Sequence, residues 1–186
     1  MHDAPGHGAP RPGAGDEVRT RTRTGAALRV GPMVAADVDA LFTLFEQVVA
    51  AREGYPHAPP LTRAGFDATW TAPGTATVVA RLERPPGPEV VGAYYLRPNF
   101  VGRAAHIANA GYVVGAPWRR GGIGRLLVED SVRRAVALGF DAVQFNLVFA
   151  SNPARRLYEE LGWRVIGRVP DAVDGEDALV YWRRVG

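Results

Sequence analysis

The chain reads as an α/β protein built on a mixed, mostly antiparallel sheet with one parallel strand pair joined by a crossover helix. Three observations predict this. Apolar, β-branched and aromatic runs at 76–83, 90–97 and 106–114 follow one another too closely for helical crossovers, so they pair antiparallel. An amphipathic stretch at 123–138 then separates the strand at 106–114 from the one at 142–149, which makes a strand–helix–strand unit of right-handed, parallel connection. With 186 residues, 47% of them hydrophobic, the chain is long enough to bury the core that such a sheet needs.

Each element has its own signal. Residues 1–25 are rich in Gly, Pro, Ala and Arg, show no apolar period and are expected to form a disordered tail ahead of a domain over 26–186. A strand is predicted over 27–33. Leu41, Leu44, Phe45, Val48 and Val49 keep helical spacing and predict a helix over 35–51. The Pro- and Gly-rich stretch 54–60 is a loop, with Tyr55 and His57 read either as exposed loop residues or as substrate contacts, and a short helix follows over 62–70. The strands 76–83 and 90–97 form a hairpin across Arg84-Pro85-Pro86-Gly87-Pro88. In the helix 123–138, Glu129/Arg133 and Asp130/Arg134 lie four apart and read as outer-face pairs, with Gly139 closing the helix. Asn152 reads as the N-cap and Pro153 as the first turn of a further helix that Gly162 ends. Strands at 163–169 and 178–183 complete the order β-α-α-β-β-β-α-β-α-β-β.

Composition narrows the function. The chain has no cysteine, which excludes disulfides, thiolate metal sites and cysteine nucleophiles. His2 and His7 suggest no metal site. A net charge of +3 is too small a surplus to argue for nucleic acid, and no basic strand studded with aromatics appears. No apolar run approaches the ~20 residues that span a bilayer, and the N-terminus lacks a signal-peptide core, so a cytoplasmic location is expected.

The chemistry-bearing segment is Arg119-Arg120-Gly121-Gly122-Ile123-Gly124-Arg125. A strand runs into a glycine turn that opens a helix. That geometry offers backbone N–H groups and the positive end of the helix dipole to a phosphate or pyrophosphate, with three arginines adding charge. A Walker loop needs a lysine, and the chain has none. A dinucleotide fingerprint needs a third small residue where Leu127 stands, and belongs in the first strand–helix unit.

The turn resembles the Q/R-x-x-G-x-G/A signature of the GCN5-related N-acetyltransferases. The segment from Asn152 to Trp163 is similar to that family's second signature, N-x-x-A-x-x-L-Y-x-x-x-G-F/W. The resemblance spans roughly 27–184. It implies a fold in which the parallel strands splay, with acetyl-CoA as co-substrate and no metal. The pantetheine arm lies in the gap along the main chain of Val113 and Val114, and the pyrophosphate sits on Arg119, Arg120, Gly121, Gly122, Ile123, Gly124 and Arg125. Asn152 lies by the cofactor. Tyr158 matches the family's usual proton donor to the thiolate. A homodimer is also implied. Gly111 reads either as a bulge or close approach at the splay or as a packing glycine.

A narrower resemblance covers Asn99-Phe100-Val101-Gly102-Arg103, the stretch from His106 to Tyr112, and Phe145-Asn146-Leu147-Val148-Phe149. It points to the fungal acetyltransferases of azetidine-2-carboxylate and other proline analogues. It implies an amino-acid site formed by Asn109, Tyr112 and Asn146, with Leu147 beside it and Asn109 close to the reacting amine. Read as residues alone, Asn109 and Asn146 sit in apolar strands and are expected to be buried. They either tie strand backbone together at the splay or donate to a carboxylate. Tyr112 packs against a small ring or fills core. Direct transfer of the acetyl group to a small-molecule amine is implied, with backbone N–H near 112–114 holding the oxyanion. No base is evident: 90–114 contains no Asp or Glu, and alternation sets His106 off the face of Asn109. Other acceptors on the same fold, such as a polyamine, an antibiotic or a protein N-terminus, and a non-catalytic acyl-CoA-binding module remain rival readings.

Overall fold

Strand pairing begins earlier in the chain than its apolar pattern announces. In the computed structural model, which describes residues 16–186, Val18–Arg21 forms β1. It pairs antiparallel with β2 (Ala27–Pro32), Thr20 opposite Leu28. The expected tail is therefore corrected: residues 1–15 lie outside the described residues, but 16–25 build a hairpin. Its strand escapes an apolar reading because Val18 is its one apolar residue and it is held by main-chain pairing and by Arg29, whose Nη1 donates to Glu17 at 3.0 Å.

The remaining elements are α1 (Val38–Ala50), α2 (Arg63–Trp70), β3 (Ala76–Leu82), β4 (Glu89–Pro98), β5 (Ile107–Val114), α3 (Ile123–Ala137), β6 (Ala142–Phe149), α4 (Arg155–Glu160), β7 (Arg164–Val173) and β8 (Glu176–Arg184). The eight strands form one sheet in the order β1-β2-β3-β4-β5-β6-β8-β7. Every pairing is antiparallel except β5 with β6, the two strands that α3 connects. The mixed α/β fold with one parallel pair is as expected.

Alternation along the central strands divides the core in two. Ala108, Ala110, Tyr94 and Leu96 pack under Ile123, Leu127 and Val128 of α3. Val113, Ala93 and Tyr95 face the other way, under Phe45 of α1 and Phe66 and Trp70 of α2. α2 is started by Thr62, whose Oγ1 accepts from Gly65 N–H at 3.1 Å.

Buried charge pins a helix to the sheet on each side. Asp37, just before α1, takes two hydrogen bonds from Arg81 of β3, at 2.5 and 2.8 Å. On the other side, Asp130 accepts from Tyr94 at 2.6 Å and from Arg134 at 2.7 Å. Asp130 and Arg134 are 2% and 4% exposed, so this pair sits on the inner face of α3, correcting the outer-face reading. Glu129 does stay outside, but its partner is Arg125. Among the described residues no helix is long and apolar enough to cross a membrane.

Candidate active site

The glycine turn has the backbone of an anion cradle. Gly122 is the N-cap of α3 at φ +88°, a left-handed conformation that costs a residue with a Cβ about 1–2 kcal/mol. The first turn of a helix has no intrahelical acceptors for its N–H groups. Here none of the N–H groups from Arg120 to Arg125 finds an acceptor among the described residues. The arginines differ in availability. Arg119 donates to Val114 O at 3.2 Å and pairs with Glu53 at 2.5 Å, and Arg125 pairs with Glu160 at 2.5 Å. Arg120, itself at φ +63°, makes no side-chain bond among the described residues. A further cation comes from a place the sequence reading left out. The β1–β2 hairpin bonds Arg23 N–H to Gly121 O at 3.0 Å and lays the Arg23 side chain over Gly122. Sequence reasoning missed it because its segment has no apolar period.

Next to the turn the parallel strands part. β5 and β6 pair only from Ile107/Ala142 to Asn109/Gln144, and no pairing continues beyond that rank. The cause lies in β6. Its register with β8 shifts between Phe145 and Val148, so Asn146 and Leu147 form a bulge that carries β6 away from β5. Gly111 is therefore no bulge: it pairs regularly with Tyr95 across β4 and β5. It is a close approach. A Cβ there would meet Tyr95 Cε1 at 2.6 Å and the hydroxyls of both Tyr95 and Tyr55 at 2.8 Å.

The residues expected around the acceptor fall on two faces. Asn109 is buried, as expected, and is tied to the strands. Its Oδ1 accepts from the Tyr95 hydroxyl at 3.0 Å, and its Nδ2 donates to Gln144 O across the last parallel rank at 3.2 Å. Asn146 shares that face but is exposed rather than buried, because the bulge turns it out. It exchanges two hydrogen bonds with Asn99, at 2.6 and 3.2 Å. Tyr112, an odd number of residues from Asn109, points to the α3 side. There its hydroxyl bonds Ser131 Oγ at 2.7 Å, and its ring packs on Phe145 and Tyr158. Asn109 and Tyr112 thus do not share one wall, and the reading that grouped them is corrected by strand alternation.

Tyr158 on α4 is buried against Phe145, and its hydroxyl makes no hydrogen bond among the described residues. Burial, with the nearby Tyr181, pushes its phenol well above the ordinary range, so it holds its proton at neutral pH. Asn152 lies at the start of this helix. Its Oδ1 accepts from Ala154 N–H at 2.9 Å, and the helix proper begins at Arg155, later than expected.

The loop after α1 is more than exposed surface. Tyr55 and His57 pack edge-on against Phe45 at 4.8 and 5.1 Å between ring centres. His57 Nε2 meets Thr69 Oγ1 at 3.1 Å, and burial lowers the imidazole's pKa. The Tyr55 hydroxyl and His57 Nδ1 are buried without a hydrogen-bond partner among the described residues. His106 lies outside the cleft, exposed before β5, with Nδ1 against Arg103 O at 2.9 Å.

The chain is similar to known proteins in sequence and in fold. A family model described as "Acetyltransferase (GNAT) family" matches residues 41–163. N-acetyltransferase aca1 of Schizosaccharomyces pombe is 42% identical over 84 residues, 45% of this chain and 40% of that protein. Protein SPT10 of Saccharomyces cerevisiae is 35% identical over 85 residues, which cover 13% of its length. The chain thus spans less than half the length of these curated relatives. A GCN5-related N-acetyltransferase structure from Kribbella flavida superposes with a TM-score of 0.75 at 35% identity, covering 84% of this chain and 97% of that one.

Proposed function

Because the chain belongs to the acetyltransferase (GNAT) family, we propose that it is an acetyl-CoA-dependent N-acetyltransferase acting on the amine of a small amino or imino acid. A proline analogue such as azetidine-2-carboxylate is the leading acceptor. The observation that carries this reading is the parting of β5 from β6 beyond Asn109 and Gln144, next to a turn whose amides from Arg120 to Arg125 have no acceptor among the described residues. A pyrophosphate suits those amides. An extended pantetheine arm suits the main chain of Val113 and Val114, where β5 has no strand on its β6 side. The proposal extends to a cytoplasmic homodimer.

The chemistry is direct transfer. The deprotonated amine attacks the thioester carbonyl carbon, main-chain N–H groups of β5 hold the oxyanion, and collapse breaks the C–S bond. The leaving thiolate takes the proton that the buried Tyr158 phenol still carries at neutral pH, and the proton lost from the nitrogen as the amide forms restores the phenol. No Asp or Glu lies in 90–114 or in β6, and in this proposal water takes the proton of the ammonium before attack. Per turnover an ammonium and acetyl-CoA give an amide, CoA thiol and one proton.

The acceptor reading draws on the resemblance around Asn109 and Asn146 and on the lack of carboxylates in the cleft strands, which disfavours polyamines. A thiol-release assay with acetyl-CoA tests it against azetidine-2-carboxylate, cis-4-hydroxyproline, spermidine and short peptides. Turnover of the two imino acids is expected. Turnover confined to spermidine or to peptides refutes the reading.

A further inference from the structure

Asn109 was the natural candidate to receive the acceptor's carboxylate, but both ends of its amide are engaged by Tyr95 and by Gln144 O. The same face of the sheet carries a full charge, on Arg97. Arg97 of β4 stands directly opposite Asn109 in register, so Arg97, Asn109 and Gln144 form one polar rank at the floor of the splay. Its guanidinium lies 4.9 Å from the centre of the Tyr95 ring, and Nη1 donates to Ala68 O at 2.9 Å. Among the described residues Arg97 has no carboxylate partner, unlike Arg119 and Arg125 at the donor turn. Its charge is felt by the phenols above it: burial pushes Tyr95 and Tyr55 up, and Arg97 pulls both down. On the next rank the Tyr55 hydroxyl is buried, has no hydrogen-bond partner among the described residues and converges with the Tyr95 hydroxyl over Gly111.

A cation without a counterion beside an unsatisfied buried hydroxyl is the complement of an anion. A buried donor left without an acceptor is costly, and a carboxylate relieves both groups at once with charge-assisted hydrogen bonds. We propose that Arg97 and the Tyr55 hydroxyl bind the carboxylate of the acceptor and make the cleft selective for amino acids over amines that lack one. This rests on the acetyltransferase reading above and adds to it the residues that choose the substrate class.

The test compares each acid with its carboxamide: azetidine-2-carboxylate against azetidine-2-carboxamide, and glycine against glycinamide. The ratio of kcat/KM values within a pair is internal to each protein, so any loss of folded enzyme cancels. Wild type is expected to favour the acid at least about tenfold. Arg97→Gln should cut that ratio at least about tenfold, through the acceptor KM, with the acetyl-CoA KM unchanged. Arg97→Lys should keep part of it, and Tyr55→Phe should lower it by a smaller factor. An unchanged ratio in Arg97→Gln, with wild type still acetylating amino acids, overturns the anchor and leaves the acetyltransferase reading standing. Wild-type turnover confined to amines without a carboxylate overturns both. If no acceptor turns over, calorimetric titration of azetidine-2-carboxylate into the CoA-loaded protein decides. Binding lost in Arg97→Gln upholds the anchor while the acceptor reading falls, whereas equal or absent binding in both proteins overturns it.

Discussion

Replacing Gly122 by Asp and, separately, by Asn separates charge from backbone at the donor turn. Both variants carry the same left-handed N-cap at φ +88°. Asn and Asp tolerate that conformation better than other residues with a Cβ, so the cost is about 1 kcal/mol. The new Cβ meets Arg23 Cγ at 3.2 Å, a contact that the flexible arginine relieves by moving a few tenths of an ångström. For a domain of this size that cost lowers Tm by about 2–4 °C in both variants. Affinity is where they part. A carboxylate about 4 Å from one phosphate charge is repelled by about 1 kcal/mol in a water-like dielectric and about 4 kcal/mol in a surface-like one. Taking about 2–3 kcal/mol for the exposed turn, Asp should weaken acetyl-CoA binding about 30- to 150-fold relative to Asn. The gap should narrow as salt shortens the screening length from about 10 Å at 0.1 M to about 3 Å at 1 M. Isothermal calorimetry of acetyl-CoA at the two ionic strengths, with thermal melts of both variants, measures this. Equal Kd values for Asp and Asn at low salt would show that the turn amides do not face the pyrophosphate.

Tyr158→Phe should lower kcat about 100-fold or more while leaving the acetyl-CoA KM and Tm near wild type, because its hydroxyl bonds no described residue; a fall of less than threefold removes it as proton donor. Gly111→Ala should cost about 2–5 kcal/mol in urea unfolding, from overpacking against Tyr95 and from the strained Tyr95–Asn109 bond. Stability within about 0.5 kcal/mol of wild type would mean that the two tyrosines yield freely. Asp37→Ala strands the buried Arg81 and should cost about 3 kcal/mol. Burial pushes the Asp37 carboxyl up, but the bonds from Arg81 and Val34 N–H hold it below the usual range. Its contribution is therefore present above about pH 3.9 and lost as pH falls through the lower folded value, and urea melts of the variant should lack that acid slope. Burial lowers His57, so its contribution is full above about pH 6.5 and lost as pH falls through the depressed folded value. Urea melts between pH 7.5 and 5.5 should show this decline in wild type and a flatter profile in His57→Gln.

Much of the fold was legible because its signals are local. The spacing of Leu41, Leu44, Phe45, Val48 and Val49 marks α1, and β6 was bounded to the residue, since helical and extended periods differ within a single turn of chain. The glycine turn was legible for a similar reason: a left-handed N-cap at Gly122 and the helix start after it are written contiguously. Where the reading missed, the deciding partner was far away in sequence. β1 has no apolar period, and the pairing that orders it comes from β2. Asp130 and Arg134 look like a solvated helical pair, and partners distant in sequence, the Tyr94 hydroxyl beneath α3 for Asp130 and Asp16 O for Arg134, hold them inward.

The sequence by itself thus determined the order of elements from β2 onward, the parallel unit and the glycine turn, because each follows from the conformational preferences of neighbouring residues. The tertiary structure decided where the residues expected around the acceptor stand. A bulge at Asn146 and Leu147 exposes one expected asparagine, alternation parts Tyr112 from Asn109, and cross-strand register sets Arg97 beside Asn109. Those placements depend on which strands pair and with what offset. That is settled by the packing of the whole sheet, and a one-residue shift would reverse every face.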